Sequence, residues 1–145
     1  MNQFQDIFIN GPISSDMVAN CISALQANHQ AGACNIFLGK VRNDMVHDKE
    51  VQAIYYTAYQ DMAIDCINDI VNQLLKQYNI LSINIQHSLG VVHAGEICIM
   101  VMVAASHRQD AINTCETLVN RIKKEVPVWG KELYDNDQYT WKINK

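Results

Sequence analysis

Apolar and polar positions along this chain fall into two rhythms, one of period two and one near 3.6. The run 97–105, I-C-I-M-V-M-V-A-A, carries no charge and reads as a buried strand. Ser106 follows at once, with Gln109 three residues on, a capping-box pattern that predicts a helix start. Ala111, Ile112, Cys115, Leu118, Val119, Ile122 and Val126 then recur at helical spacing, and Pro127 ends the run. A second helix opens at Asp61, with Ala63, Cys66, Ile67, Ile70, Val71, Leu74, Leu75 and Tyr78 on one face. A shorter one, capped by Ser14 or Ser15, presents Met17, Val18, Cys21, Ile22 and Leu25.

Strands are expected at 4–9, 33–41, 51–59 and 80–89, the last by its alternation S-I-N-I-Q-H-S-L. Gly39 inside its strand marks a bulge or a close backbone approach. The polar stretch 43–50 reads as a mobile loop, and 90–95 as a turn into the buried strand. Beyond Pro127, V-W-G-K-E-L-Y and Q-Y-T-W-K-I flank an Asp/Asn turn and predict a terminal hairpin at about 132–143. The order β-α-β-β-α-β-β-α-β-β separates helices by strand pairs. That favours a single α+β domain over 1–145 with a largely antiparallel or mixed sheet.

Composition narrows the function more than the fold. The 145 residues are 49% apolar and 18% charged, ordinary for a globular domain with a real core. A net charge of −4 argues against a general nucleic-acid binder. Basic residues nevertheless gather at Arg121, Lys123, Lys124 and Lys131, which suits either one small anionic ligand or a solvated helix end. The five cysteines (21, 34, 66, 98, 115) are odd in number, lack a C-x-x-C and fall at apolar positions, so buried, reduced thiols of a cytoplasmic protein are expected. The N-terminus lacks a leader pattern, and no apolar run reaches the roughly 18 residues of a membrane span. The histidines (29, 47, 87, 93, 107) lack zinc-like spacing, so neither a metal nor another cofactor is expected.

The candidate chemistry is cationic. His107 and Arg108 fall in the first turn of the last helix, where free N–H groups make a cation unfavourable until an anionic ligand reverses the sign. A capping His and a solvated Arg explain the same residues without a ligand. Lys123 lies fifteen residues after Arg108, roughly 22 Å along the axis. One small ligand cannot touch both within one chain. Either they serve different sites, or a two-fold dimer joins one chain's helix start to the other's helix end. Lys123, Lys124 and Lys131 also crowd around Pro127 and Trp129, where a lowered pKa would make a lysine a base or nucleophile. Surface solvation is the plainer account of such lysines.

Four segments in order, F-L-G-K-V-R-N (37–43), H-S-L-G-V-V-H-A-G-E (87–96), S-H-R (106–108) and K-K-E-V-P-V-W-G-K-E (123–132), resemble the large, catalytic subunit of molybdopterin synthase, the MoaE-type family. The resemblance spans nearly the whole chain. It implies an α/β-hammerhead-like fold with an additional small antiparallel β subdomain. It implies a sulfurtransferase that converts cyclic pyranopterin monophosphate to molybdopterin, without a metal. Two sulfurs come from the C-terminal glycine thiocarboxylate of a small ubiquitin-like subunit, and a central homodimer carries one small subunit at each end. By position, Phe37, Lys40, Val41 and Arg42 would line the substrate pocket, and His107 and Arg108 would reach it from the neighbouring protomer. Lys123 matches the principal catalytic lysine; Gly130, Lys131 and Glu132 complete the substrate contacts. The family commonly reads P-x-W-K-[KR]-E, and here Gly130 stands where a second functional lysine is usual. Lys131 is the expected replacement catalytic lysine, helped by glycine's loose backbone. Without such a replacement, either slow turnover or binding without turnover is expected, and the alternative reading is a non-catalytic dimeric binding module for a small phosphorylated ligand.

Overall fold

The computed structural model describes residues 4–135 and 138–144. Its elements in order are β1 (Phe8–Asn10), α1 (Ser15–Leu25), β2 (Ala33–Lys40), β3 (Met45–Val46), β4 (Lys49–Glu50), β5 (Ala53–Ala58), α2 (Gln60–Gln77), β6 (Ser82–His93), β7 (Ile97–Ala105), α3 (Arg108–Glu125), β8 (Val128–Leu133) and β9 (Tyr139–Trp141). Among the described residues seven strands form one sheet in the order β2-β7-β6-β5-β8-β9, with β1 beside β6. The β1–β6 pairing is parallel and the others antiparallel, as the α+β reading requires.

β7 is the axis of the sheet. Cys98 through Ala105 are all buried, because β2 and β6 take its edges while side chains cover both faces. The stripes of α2 and α3 close one face: Ile67, Ile70 and Leu74 join Leu118, Ile122, Val101 and Val103 in one core. Each fully buried Leu or Ile there contributes roughly 1.5–3 kcal/mol.

Local bonds explain where the elements depart from the apolar pattern. The first strand begins at Phe8 rather than Phe4, because Phe4's backbone is held by the Asn68 side chain of α2, at 2.7 and 2.9 Å. Ser14 caps α1 as expected, accepting from the Met17 N–H. The capping box at Ser106 does not form: α3 starts at Arg108, and His107 is the extended N-cap, with no side-chain cap bond among the described residues. Gly32 donates to the Ala105 carbonyl at 3.0 Å and packs on the Ser106 carbonyl, which keeps the chain extended one residue longer.

The expected loop at 43–50 contains the β3–β4 hairpin, turned by His47 and Asp48 at φ 50° and 63°. Both centres lie in the left-handed region a type I′ turn needs, reached without the usual Asn-Gly signature. β6 runs through Gly90, at φ 77°, to His93, so the reversal lies at Ala94–Gly95 rather than across 90–95. The terminal hairpin forms as β8 and β9; Asn136 and Asp137 of its expected turn lie outside the described residues. The α1 stripe is not a core face: Met17, Val18, Cys21 and Leu25 stay partly exposed and Ile22 is 40% exposed. Cys98 and Cys115 are buried as expected, whereas Cys34 on the edge strand β2 is exposed.

Candidate functional site

The sheet and the C-terminal end of α3 flank a small cleft that opens to solvent. Strand alternation decides what faces it. Tyr56, Gly130 and the residue paired with Gly130, Lys142, lie on one face of the β5-β8-β9 sheet, and all three line the cleft. Lys123 enters from the last turn of α3, its Nζ 5.8 Å from the Phe37 ring centroid. Lys40 enters from the end of β2, where the register shifts between Gly39 and Lys40. A Cβ on Gly39 would collide with the Ile99 side chain, so the bulge needs glycine. Behind these sit His87 of β6 and Cys98 of β7, whose thiol donates to the Gly39 carbonyl at 3.4 Å.

The cleft pairs cations with neutral polar groups. Burial pushes the His87 imidazole down to about 4, the nearby Lys123 and Lys142 push the same way, and a bond to the Ser88 carbonyl opposes them. That bond is 2.8 Å from Nδ1, and a carbonyl oxygen only accepts, so the neutral ring carries its proton on Nδ1 and leaves Nε2 as acceptor. Burial also raises the Tyr56 hydroxyl, helped by Cys98 and Glu132, so the phenol stays protonated. Lys142 is lowered, first by burial and then by Lys123, with Arg42 acting in the same sense and Cys98 and Glu132 against it.

The expected site residues divide between this cleft and other places. Phe37, Lys40, Lys123 and Gly130 come together, and Glu132 lies two residues from Gly130 on the same face. Val41 is 2% exposed; its backbone bonds Glu96 and Gly95, and its side chain belongs to the core. Arg42 is solvent-facing and paired with Asp44 at 3.0 Å. His107 and Arg108 are exposed at the far end of α3, and the unbroken helix keeps them from Lys123 within one protomer. Lys131 faces away from the cleft: its Nζ is 4.3 Å from the Tyr139 ring, 5.7 Å from Trp141 and 5.9 Å from Tyr55. Tyr56, His87, Cys98 and Lys142 were not singled out by the sequence pattern. His87 lies at the start of the 87–96 segment, and the hairpin register was the signal that could have found Lys142. Among the described residues there is no group of three His, Cys, Asp or Glu able to hold a metal. The clustered cations of the cleft suit a small anion.

Residues 10–125 match the model of the family described as MoaE protein. The chain is 37% identical over 116 residues to the molybdopterin synthase catalytic subunit of Pyrococcus abyssi, covering 80% of this chain and 78% of that one. It is 36% identical over 111 residues to that of Thermoplasma volcanium, covering 77% and 80%. The crystal structure of molybdopterin synthase from Staphylococcus aureus superposes with a TM-score of 0.82 at 26% identity, over 99% of this chain and 98% of that one. The complex of subunits 1 and 2 of molybdopterin-converting factor from Helicobacter pylori shares the fold, with a TM-score of 0.81 at 17% identity, over 96% and 90%. With most of its length matched in sequence and its whole described fold matched in structure, the chain belongs to the MoaE protein family.

Proposed function

We propose that the chain is the catalytic subunit of a molybdopterin synthase. It converts cyclic pyranopterin monophosphate to molybdopterin with two sulfurs from the thiocarboxylated C-terminus of a small ubiquitin-like subunit, each glycine being left as a carboxylate. The observation that carries this is Lys123 at the edge of an open cationic cleft, in a chain of this family. An ammonium there neutralises charge on the phosphate and on the thiocarboxylate, and its protons can follow charge as it develops. The neutral His87 and protonated Tyr56 add hydrogen-bonding groups without adding charge. The complex from Helicobacter pylori supports a two-subunit assembly for this fold.

The active assembly is a homodimer of these chains. Fifteen residues of helix separate Arg108 from Lys123, roughly 22 Å. A two-fold axis brings the neighbouring protomer's His107 and Arg108 to the cleft and completes two identical sites. The protein works in the cytoplasm; no helix among the described residues is long and apolar enough to cross a membrane, and the cysteines are free thiols. The non-catalytic binding module rests on Gly130 alone, against relatives named as catalytic subunits.

The test mixes the chain with thiocarboxylated small subunit and cyclic pyranopterin monophosphate and measures dithiolene product. Product is expected; tight substrate binding without product overturns the enzyme reading. Lys123→Ala should lower turnover by about 100-fold or more, the scale of a lost charge stabiliser. An equimolar mixture of Arg108→Ala and Lys123→Ala chains should recover about one quarter of wild-type activity. Half the dimers are then hybrids, and one of their two sites is intact. Failure to recover activity, with hybrid dimers shown to form, refutes shared sites.

A further inference from the structure

We propose that Lys142 is an oxyanion-contacting cation of this cleft, acting beside Lys123 from the strand segment that lies across Gly130. The inference deepens the synthase reading and rests on it for the substrate.

The register makes the placement. Lys131 pairs with Trp141, so the next pair is Gly130 with Lys142, closed by the Lys142 N–H donating to the Gly130 carbonyl at 2.8 Å. Directly opposed residues of an antiparallel pair share a face. Trp141 and Lys131 therefore share the outer face with Tyr55, and Lys142 shares the inner face with Gly130 and Tyr56. Two residues further, Asn144 donates from Nδ2 to the Lys123 carbonyl at 3.2 Å. The segment is thus tied both to β8 and to the end of α3, and Lys142 is held in the cleft rather than carried on a free tail.

Gly130 has no side chain to supply a charge from its own position. A Cβ there would lie 2.9 Å from Ile54 Cγ2 and 3.3 Å from Tyr56 Cε1, so any side chain at 130 would have to displace this wall. Among the described residues of the hairpin, Lys142 is the lysine that lines the cleft. Lys123 and Lys142 repel each other in a partly buried space, and the lowered Lys142 pKa reflects both burial and that repulsion. An oxyanion between them would relieve it. Two oxyanions of the reaction qualify: the cyclic phosphate of the pterin, and the thiocarboxylate of the small subunit's tail.

Two titrations separate these sources. Calorimetry with cyclic pyranopterin monophosphate uses the chain without the small subunit. A second titration uses the small subunit in its carboxylate form, without pterin. Lys142→Met should weaken one of them by about 10- to 100-fold, the size of a lost charge-assisted hydrogen bond, and lower kcat/KM by the same order. Loss in the first names the phosphate; loss in the second names the tail. Lys142→Arg should restore most of the lost binding. Lys142→Met with wild-type binding in both titrations and wild-type kcat/KM overturns the proposal. So does a loss that Lys142→Arg fails to restore when both variants melt like wild type. If the wild-type chain binds but yields no dithiolene, the synthase reading fails, while the titrations still judge Lys142.

Discussion

Acidification to about pH 5 should destabilise the folded protein by about 2 kcal/mol through one imidazole. His87 has an ordinary pKa of 6.5 and a folded value of about 4. Above 6.5 the ring is neutral in both states and its contribution is flat. Between 6.5 and 4 the unfolded chain takes up a proton that the folded chain refuses, so stability falls as pH drops; below 4 the loss is complete. The full loss spans about 2.5 pKa units, or about 3 kcal/mol, and roughly 1.5 units of it have accrued at about pH 5. The cause is local: a partly buried ring set edge-on to Tyr56 at 5.2 Å, with Lys123 and Lys142 opposing a further positive charge. The assay is urea denaturation at about pH 7.5 and about pH 5, on wild type and His87→Phe. Phenylalanine keeps the ring contacts with Tyr56 and Phe8 but cannot titrate. The other four histidines are present in both proteins and cancel in the comparison. Wild type should lose about 2 kcal/mol more than the variant over this interval. Equal losses in the two proteins would refute the assignment.

The remaining predictions concern two closely packed glycines. Gly130→Ala should destabilise the fold by about 1–3 kcal/mol, because Ile54 is β-branched and buried and cannot swing away from the new methyl. An unchanged denaturation midpoint would show that this wall is not tight. Gly32→Ala should be more severe, about 2 kcal/mol or more, because the new Cβ would collide with the Ser106 backbone carbonyl rather than with a movable side chain. A stability within about 0.5 kcal/mol of wild type would refute that contact.

Much of the fold was legible because long apolar periodicities leave little choice. The expected strand 97–105 and the helices starting near 61 and 107 appear within a residue or two of their places. A nine-residue uncharged run has to be covered on both faces, and six of the seven positions in the α3 stripe are buried, with Ile112 at its margin 44% exposed. What was not legible is decided by tertiary partners. Asn68 takes the backbone of Phe4 out of the first strand, and Gly32 displaces the capping box at Ser106. A His-Asp pair turns the β3–β4 hairpin without the glycine that would have announced it. The site follows the same division. Phe37, Lys40, Lys123 and Gly130 could be named from local segments that resemble the family. Tyr56, His87 and Lys142 come from strands whose facing depends on register, and register is a relation between two distant segments.

Residue 130 illustrates what that relation does to chemistry. Read alone, a glycine in place of a lysine removes a charge from the site, and the adjacent Lys131 looks like the nearest substitute. In a strand, however, adjacent residues point to opposite faces, so Lys131 is among the side chains least able to replace residue 130. The geometry bears this out: Lys131 lies over Tyr139 on the outer face. The residue that can serve the same volume is the one directly opposed, where Cβ atoms lie about 4.5–5.5 Å apart. That gap is comparable with the span of a lysine's four-carbon stem. Lys142 occupies that place, so a cation can be handed from β8 to the strand beside it without changing the charge that an anion meets in the cleft. The charge belongs to the enclosed space rather than to a sequence position, and glycine at 130 is compatible with a working site for that reason.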